Sequence, residues 1–118
     1  MSCLVPALRT AGAEVERQLV PTMRGFAGAI VRSYLPQRWV FVTERETANL
    51  TVDAAGHCTA SEGPLEGPDV TVSTTHDRLR AALLSRDPAR VPPGPMEVTA
   101  HSAKGRAAVA LLRRRLGV

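Results

Sequence analysis

The side chains of this sequence best suited to nucleophilic, acid–base or metal chemistry are those of its histidines and cysteines. They are His57, His76, His101, Cys3 and Cys58. His57 and Cys58 are neighbours, but adjacent residues of a β-strand point to opposite faces, so they form no Cys–His dyad unless a turn distorts them. His76 is predicted at the start of a helix and His101 beyond the end of a strand, and both are expected to be exposed to solvent. Because none of the five follows the C-x2-C or H-x3-H spacing of zinc sites, the sequence predicts no catalytic residue and no bound metal.

Longer motifs that position phosphates, cofactors or nucleophiles are absent from the sequence. It contains no G-x-S-x-G, no phosphate-binding P-loop and no glycine pattern of the dinucleotide-binding proteins. Two cysteines far apart in sequence are also too few for a disulfide framework, so reduced thiols are expected. We therefore expect a protein that is not an enzyme and that uses no cofactor.

The formal net charge of +4 raises the question of nucleic-acid binding. Such binding requires phosphate contacts that are concentrated on one surface. Here the arginines are scattered along the chain, and the single cluster, at residues 113–115, suits the negative end of a helix dipole. Aromatic side chains for base stacking are scarce. No nucleic-acid partner is therefore predicted.

The length of 118 residues suits one domain. We divide it into a helical segment over residues 1–36 and a sheet with covering helices over residues 37–118. No run reaches the roughly 18 to 20 apolar residues of a membrane-spanning helix, and the first residues lack the basic start and long apolar core of a signal peptide. The expected location is the cytoplasm, without a transmembrane segment.

The first predicted secondary-structure element is a helix from about residue 10 to residue 35. Its apolar residues recur at the three- and four-residue spacing of one buried helical face; they are Val15, Leu19, Met23, Phe26 and Ile30. Because proline removes an amide and crowds the preceding turn, Pro21 is expected to kink this segment or to begin a second helix. Pro36 is expected to end it.

Alternation of apolar and polar residues predicts five strands, with one face of the sheet covered and the other open. The strands are predicted at residues 38–44, 48–53, 57–61, 69–73 and 96–100. A hairpin turn that contains Gly56 joins the second strand to a weak third one.

Two further helices and a proline-rich connection complete the prediction. One helix spans about residues 74–86, with Thr74 and Asp77 spaced for a capping box, and the other follows Ser102 as its N-cap. The prolines of residues 87–95 predict a stiff connection between the first of these helices and the last strand. The passage from the fourth to the fifth strand would allow one parallel pair in an otherwise antiparallel sheet. The predicted fold class is α+β.

From about Leu50 to Leu112, the chain resembles the sterol carrier protein type two domain in the order and spacing of its elements. The stretches that carry the likeness are the strand–turn–strand around Gly56, residues 68–72 leading into a helix at 77–84, the connection at 87–89, and residues 94–100 before an Ala/Leu-rich helix. The chain departs from the family pattern at Ala100, where the family often has glycine, and in the prolines of residues 91–95.

The resemblance implies a five-stranded, mostly antiparallel sheet with helices on one face and an apolar tunnel between the two layers. Members of the family bind fatty acids, fatty acyl-CoA or sterols there without catalysis. The predicted partner is therefore a long-chain lipid or sterol-like ligand. The residues expected to line the tunnel are Trp39, Phe41, Leu50, Val52, Val70, Val72, Leu79, Leu83, Met96, Val98, Leu111 and Leu112.

An alternative is that the same side chains pack a filled core, in a dimeric accessory or scaffold protein without a lipid ligand. The open face of the sheet would leave Val40 and Val42 exposed, so that face or the opening helix could pair with a second copy of the chain. A homodimer of this kind is also compatible with ligand binding.

Overall fold

The computed structural model describes residues 4–24, 35–84, 94 and 96–116. It confirms an α+β fold with a five-stranded, mostly antiparallel sheet. The strands are β1 (Gln37–Val42), β2 (Thr47–Val52), β3 (Cys58–Glu62), β4 (Val70–Thr74) and β5 (Met96–Ala100). The helices are α1 (Leu4–Arg24), α2 (His76–Leu84) and α3 (Ala103–Leu116).

The strand order is β3-β2-β1-β4-β5, and the single parallel pair joins β1 to β4, with Trp39 opposite Val70. The prediction that β4 and β5 could run parallel is wrong, because they pair antiparallel. The parallel pair arises instead from the connection between β3 and β4. This connection returns the chain to the end of the sheet at which β1 begins, and it places β4 beside β1.

This connection, residues 63–69, must pass over β2 and β1, because both strands lie between β3 and β4. The Asn49 side chain, on the face away from α1, donates from Nδ2 to the carbonyl oxygen of Gly63 at 2.9 Å, which places the start of this connection on that face. Val40 and Asn49 on the same face are buried, and Val42 is half-buried. The prediction that Val40 is exposed on an open face is therefore wrong, because the chain itself covers part of that face.

Helix α1 begins at Leu4, well before the predicted start near residue 10. Leu4 and Leu8 are fully buried in the core, a role that the sequence prediction missed. Pro6 is compatible with this early start, because a proline in the first turn of a helix lacks only an amide that would have no partner there. The helix is continuous through Pro21, so the predicted division into two helices is wrong within the described residues.

One hydroxyl side chain caps the N-terminus of each of the two later helices. Ser102 caps α3 as predicted, since its Oγ accepts from the amide of Gly105 at 3.0 Å. The predicted capping box at Thr74 is wrong, because Thr74 is the last residue of β4, and Thr75 Oγ1 accepts from the Arg78 amide instead. The predicted hairpin turn is confirmed: Gly56 has a φ of 89°, and Asp53 accepts hydrogen bonds from two amides of the turn.

Several predictions fall on residues outside the described ranges. They are the helical positions Phe26 and Ile30 and almost all of the connection at 87–95, whereas Pro36 is described and lies outside any helix. Among the helices that are described, none combines the length and the apolar character needed to cross a membrane.

Candidate apolar site

The predicted lining residues of the strands all lie on the face of the sheet that α1 covers. The strand register pairs Trp39 with Leu50 and Val70, and paired residues point to the same side. The same register places the other predicted strand residues on this face; they are Phe41, Val52, Val72, Met96 and Val98. Alternation in the sequence therefore identified one face of the sheet correctly.

Among the described residues, α1 and α3 pack on opposite sides of this face. Helix α1 packs on β2 and β3, and α3 packs on β4 and β5. Gly12 allows the close approach of α1, because a Cβ there would lie 3.0 Å from the Cβ of Cys58. Helix α2 packs against α1. The central strand β1 lies between the strands on which α1 and α3 pack.

Part of the layer above β1 is tightly packed. Phe41, Val70 and Val72 are buried with Leu79 of α2 in the main core cluster, and Val52 is also buried. A second group is only partly buried against that cluster, and it consists of Trp39, Leu50, Leu83, Val98 and Val109. Met96 is exposed, at 42%. The side chains of Leu111 and Leu112 lie outside those that the structure describes.

We call this partly buried group the apolar layer (Trp39, Leu50, Leu83, Val98 and Val109), and Trp39 is its member on the central strand. Its indole Nε1 donates to Oε1 of Gln37 at 2.9 Å, and Nε2 of Gln37 donates to the carbonyl oxygen of Lys104 in α3 at 3.0 Å. Its ring centroid lies 6.2 Å from that of Phe41. The buried Gln37 side chain therefore fixes the indole between sheet and α3, a polar contact that alternation could not reveal.

A surface groove of about 600 Å³ lies elsewhere, along the outer side of α1. Its lining includes Arg9, Ala13 and Arg17, and the only predicted lining residue that it shares is Leu83. Arg17 is paired there with Glu14. Leu83 is thus the one member of the apolar layer that also lines this groove.

His57 and Cys58 lie near Glu16 of α1 without forming a reactive pair. The Cys58 amide donates to Glu16 Oε1 at 2.9 Å, and His57 Nδ1 lies 3.4 Å from the same oxygen. Burial, followed by the negative charges of Glu16 and Asp53, raises the pKa of the Cys58 thiol to about 11. A thiol of this kind is almost entirely protonated at neutral pH and is a poor nucleophile.

We expect Cys58 in a Cys3→Ser variant to react with iodoacetamide at pH 8 about a hundredfold more slowly than an unhindered thiol with a pKa near 9, because its thiolate fraction is lower by that factor. Mass spectrometry at timed intervals measures the rate. The same variant in urea is the control and should react at the ordinary rate. Equal rates in the folded and the unfolded protein would contradict the raised pKa.

His76 is buried, with only 3% of its surface exposed, so the prediction of an exposed histidine is wrong. It packs at the start of α2 beside the β1–β2 turn, residues 43–46, where Glu46 Oε2 lies 3.5 Å from its Nε2. Sequence reasoning missed it because the burial depends on α1 starting at Leu4 and on a turn distant in sequence. His101 is exposed, as predicted, and its Nε2 lies 2.9 Å from Thr71 Oγ1.

Among the residues that the structure describes, no three His, Cys, Asp or Glu side chains converge as metal ligands would. Comparison of the chain with models of known protein families finds no match, and comparison with curated proteins finds none either.

Proposed function

We propose that this protein binds a lipid-like apolar molecule non-covalently in the apolar layer between sheet and helices, and that it is not an enzyme. The observation that carries the proposal is the half-buried state of Trp39. This residue is large and apolar, lies on the central strand and faces the helices, so its exposed part offers apolar surface to a guest molecule.

The surroundings of Trp39 favour an apolar guest. Leu50 pairs with it from β2, whereas Val98 lies two strands away on β5 and Val109 lies on α3, and each packs against the same core cluster while remaining partly exposed. Covering such surface with an acyl chain or a sterol ring gains about 25 cal/mol per Å² of apolar area removed from water. Because this contribution is non-directional, the expected specificity is for apolar length and shape rather than for one head group.

The resemblance to the sterol carrier protein type two domain supports the same class of ligand. The mixed five-stranded sheet with helices over one face agrees with the fold that the resemblance implies. Fatty acids, fatty acyl-CoA and sterols are therefore the candidate ligands. We include a cytoplasmic location in the proposal, which the free thiol of Cys58 supports.

The test uses Trp39, the only tryptophan, as its own probe. We expect titration with oleate to change the emission of Trp39 and to saturate at micromolar concentration. Val98→Phe should weaken binding by tenfold or more, since the larger side chain fills the apolar layer. Thr99→Phe, on the opposite face of the same strand, is the matched control and should change the affinity less than twofold.

The result that would overturn the proposal is an unchanged Trp39 emission with oleate, oleoyl-CoA and cholesterol, together with native mass spectra of freshly purified protein that show no bound lipid. That result would favour the dimeric scaffold with a filled core. Equal losses of affinity in Val98→Phe and Thr99→Phe would place binding away from the apolar layer.

A further inference from the structure

The two edges of the sheet differ in how their outer sides are covered. Along β3, which is one edge, α1 packs against the strand, and Glu16 Oε1 accepts from the Cys58 amide at 2.9 Å. Strand β5 is the other edge, and among the described residues it has a strand on one side only. No described side chain bonds to its backbone as Glu16 bonds to that of β3. Within the part of the chain that the structure describes, the β5 edge is therefore the unprotected one.

The hydrogen bonds between β4 and β5 show which backbone groups face this open edge. The amide of His101 donates to the carbonyl oxygen of Asp69 at 2.7 Å, in register with the strand pair. In an antiparallel pair, residues that bond to the neighbouring strand alternate with residues whose amide and carbonyl groups point the other way. Met96, Val98 and Ala100 therefore direct these groups outward.

Strand β5 is also the most exposed strand of the sheet. It is the only one of the five described strands without a buried residue, although α3 packs on it. Proteins usually protect an edge strand with lysine, proline, a bulge or a covering segment, because unpaired backbone groups invite pairing with another strand. Within β5 there is no proline or lysine, and its one charged residue, Glu97, lies on the sheet face away from the helices.

We propose that β5 pairs antiparallel with β5 of a second copy of the chain, around a two-fold axis at Val98. Val98 then exchanges both of its outward hydrogen bonds with Val98 of the partner subunit, and Met96 exchanges its own with Ala100 of the partner subunit. The five-stranded sheets of the two copies become one continuous sheet. Because the same surface of each copy takes part, the contact closes on itself and forms a dimer rather than a fibre.

The sequence of β5 is complementary to itself in this register. Glu97 lies opposite Thr99 of the partner subunit, in a pair without mutual hydrogen bonds, where opposing side chains come closest. A register centred on Glu97 would instead bring the two copies of this glutamate together, and like charges directly opposite each other are destabilising. On the helix side, pairing covers part of the exposed Met96 and of the half-buried Val98, which removes apolar surface from water. A second copy of β5 is thus a strand that fits this edge.

Two substitutions of Thr99 test both the pairing and its register. Thr99 is exposed on the face away from the helices, so both variants should fold. We expect Thr99→Glu to raise the dimer dissociation constant by about fivefold or more, because the two-fold axis places the new carboxylate opposite Glu97 twice. Thr99→Lys places an ammonium group there and should not raise the constant. Net charge alone predicts the opposite order, since the chain carries +4 and Thr99→Glu lowers that charge.

Sedimentation equilibrium at micromolar concentrations measures the dissociation constants, and circular dichroism checks that each variant is folded. Thr59→Glu is the matched control, because it makes the same change on the same face of the other edge strand. It should leave the dissociation constant within about twofold of the unmodified value. Hydrogen exchange gives a second measurement, since the Val98 amide should be protected in the unmodified protein and exchange faster in Thr99→Glu.

A chain that stays monomeric throughout the micromolar range would overturn the pairing. Equal dissociation constants in Thr99→Glu and Thr99→Lys would overturn it as well, since they would place the dimer contact elsewhere. All of these measurements use the protein without ligand, so their outcome is independent of the oleate titration that tests the proposed function.

Discussion

Replacing Gly105 by alanine is expected to lower the free energy of unfolding by at least about 2 kcal/mol. A Cβ at this position would lie 2.3 Å from the carbonyl oxygen of Asp69 and 3.1 Å from Ser102 Oγ. Backbone cannot yield as a flexible side chain can, so α3 would have to move away from the start of β4. The ordinary preference of helices for alanine over glycine, about 1 kcal/mol, is too small to offset this.

Urea unfolding followed by circular dichroism measures the effect. Gly94→Ala is the matched control, because a Cβ there would make only ordinary contacts, 3.7 Å from Arg78 and 3.9 Å from Thr75. Its free energy of unfolding should stay within about 0.5 kcal/mol of the unmodified protein. A Gly105→Ala protein as stable as the Gly94→Ala protein would show that α3 does not approach β4 as described.

Replacing Asp69 by alanine is expected to cost about 3 kcal/mol of unfolding free energy. Asp69 is buried, and its carboxylate accepts from the Arg38 amide at 2.9 Å and from Ser102 Oγ at 2.7 Å, with Lys104 Nζ at 3.8 Å. It thereby joins β1 to the N-terminus of α3. The substitution would leave buried donors in both elements without an acceptor.

The measurement is again urea unfolding, with two comparison variants. Asp69→Asn keeps one acceptor oxygen and should recover part of the loss. Asp53→Ala removes a carboxylate that also accepts from two amides, but in an exposed turn where water replaces it, so its loss should be clearly smaller. An Asp53→Ala protein that loses as much free energy of unfolding as Asp69→Ala would show that burial does not strengthen the contribution of the hydrogen bonds around Asp69.

The strands could be predicted from the sequence because their signal is local. Alternation assigned Val70 and Val72 to the face toward the helices, and β5 spans the predicted residues. The buried polar residues could not be predicted in this way. His76 and Asn49 are covered by segments that are distant in sequence, and only the path of the chain brings those segments over them.

The candidate site likewise combines local features, which the sequence predicts, with contacts between distant segments, which it does not. Alternation assigned Trp39, Leu50 and Val98 to the face toward the helices, but it gave no measure of how closely the helices approach that face. That approach is set by close contacts such as those of Gly12 and Gly105. A glycine in a helical pattern indicates that another segment of the chain packs closely against the helix, but it does not identify that segment.

The passage of residues 63–69 over β2 and β1 has a consequence for the order of folding. The β1–β2–β3 meander pairs only neighbouring segments, so it can form early with little loss of chain entropy. Strand β4 joins β1 only after the chain has been drawn back across the finished meander, and β5 and α3 then add to β4. The slow step of folding should therefore be the pairing of β4 with β1, and a longer, glycine-rich connection at residues 63–69 should slow folding more than it speeds unfolding.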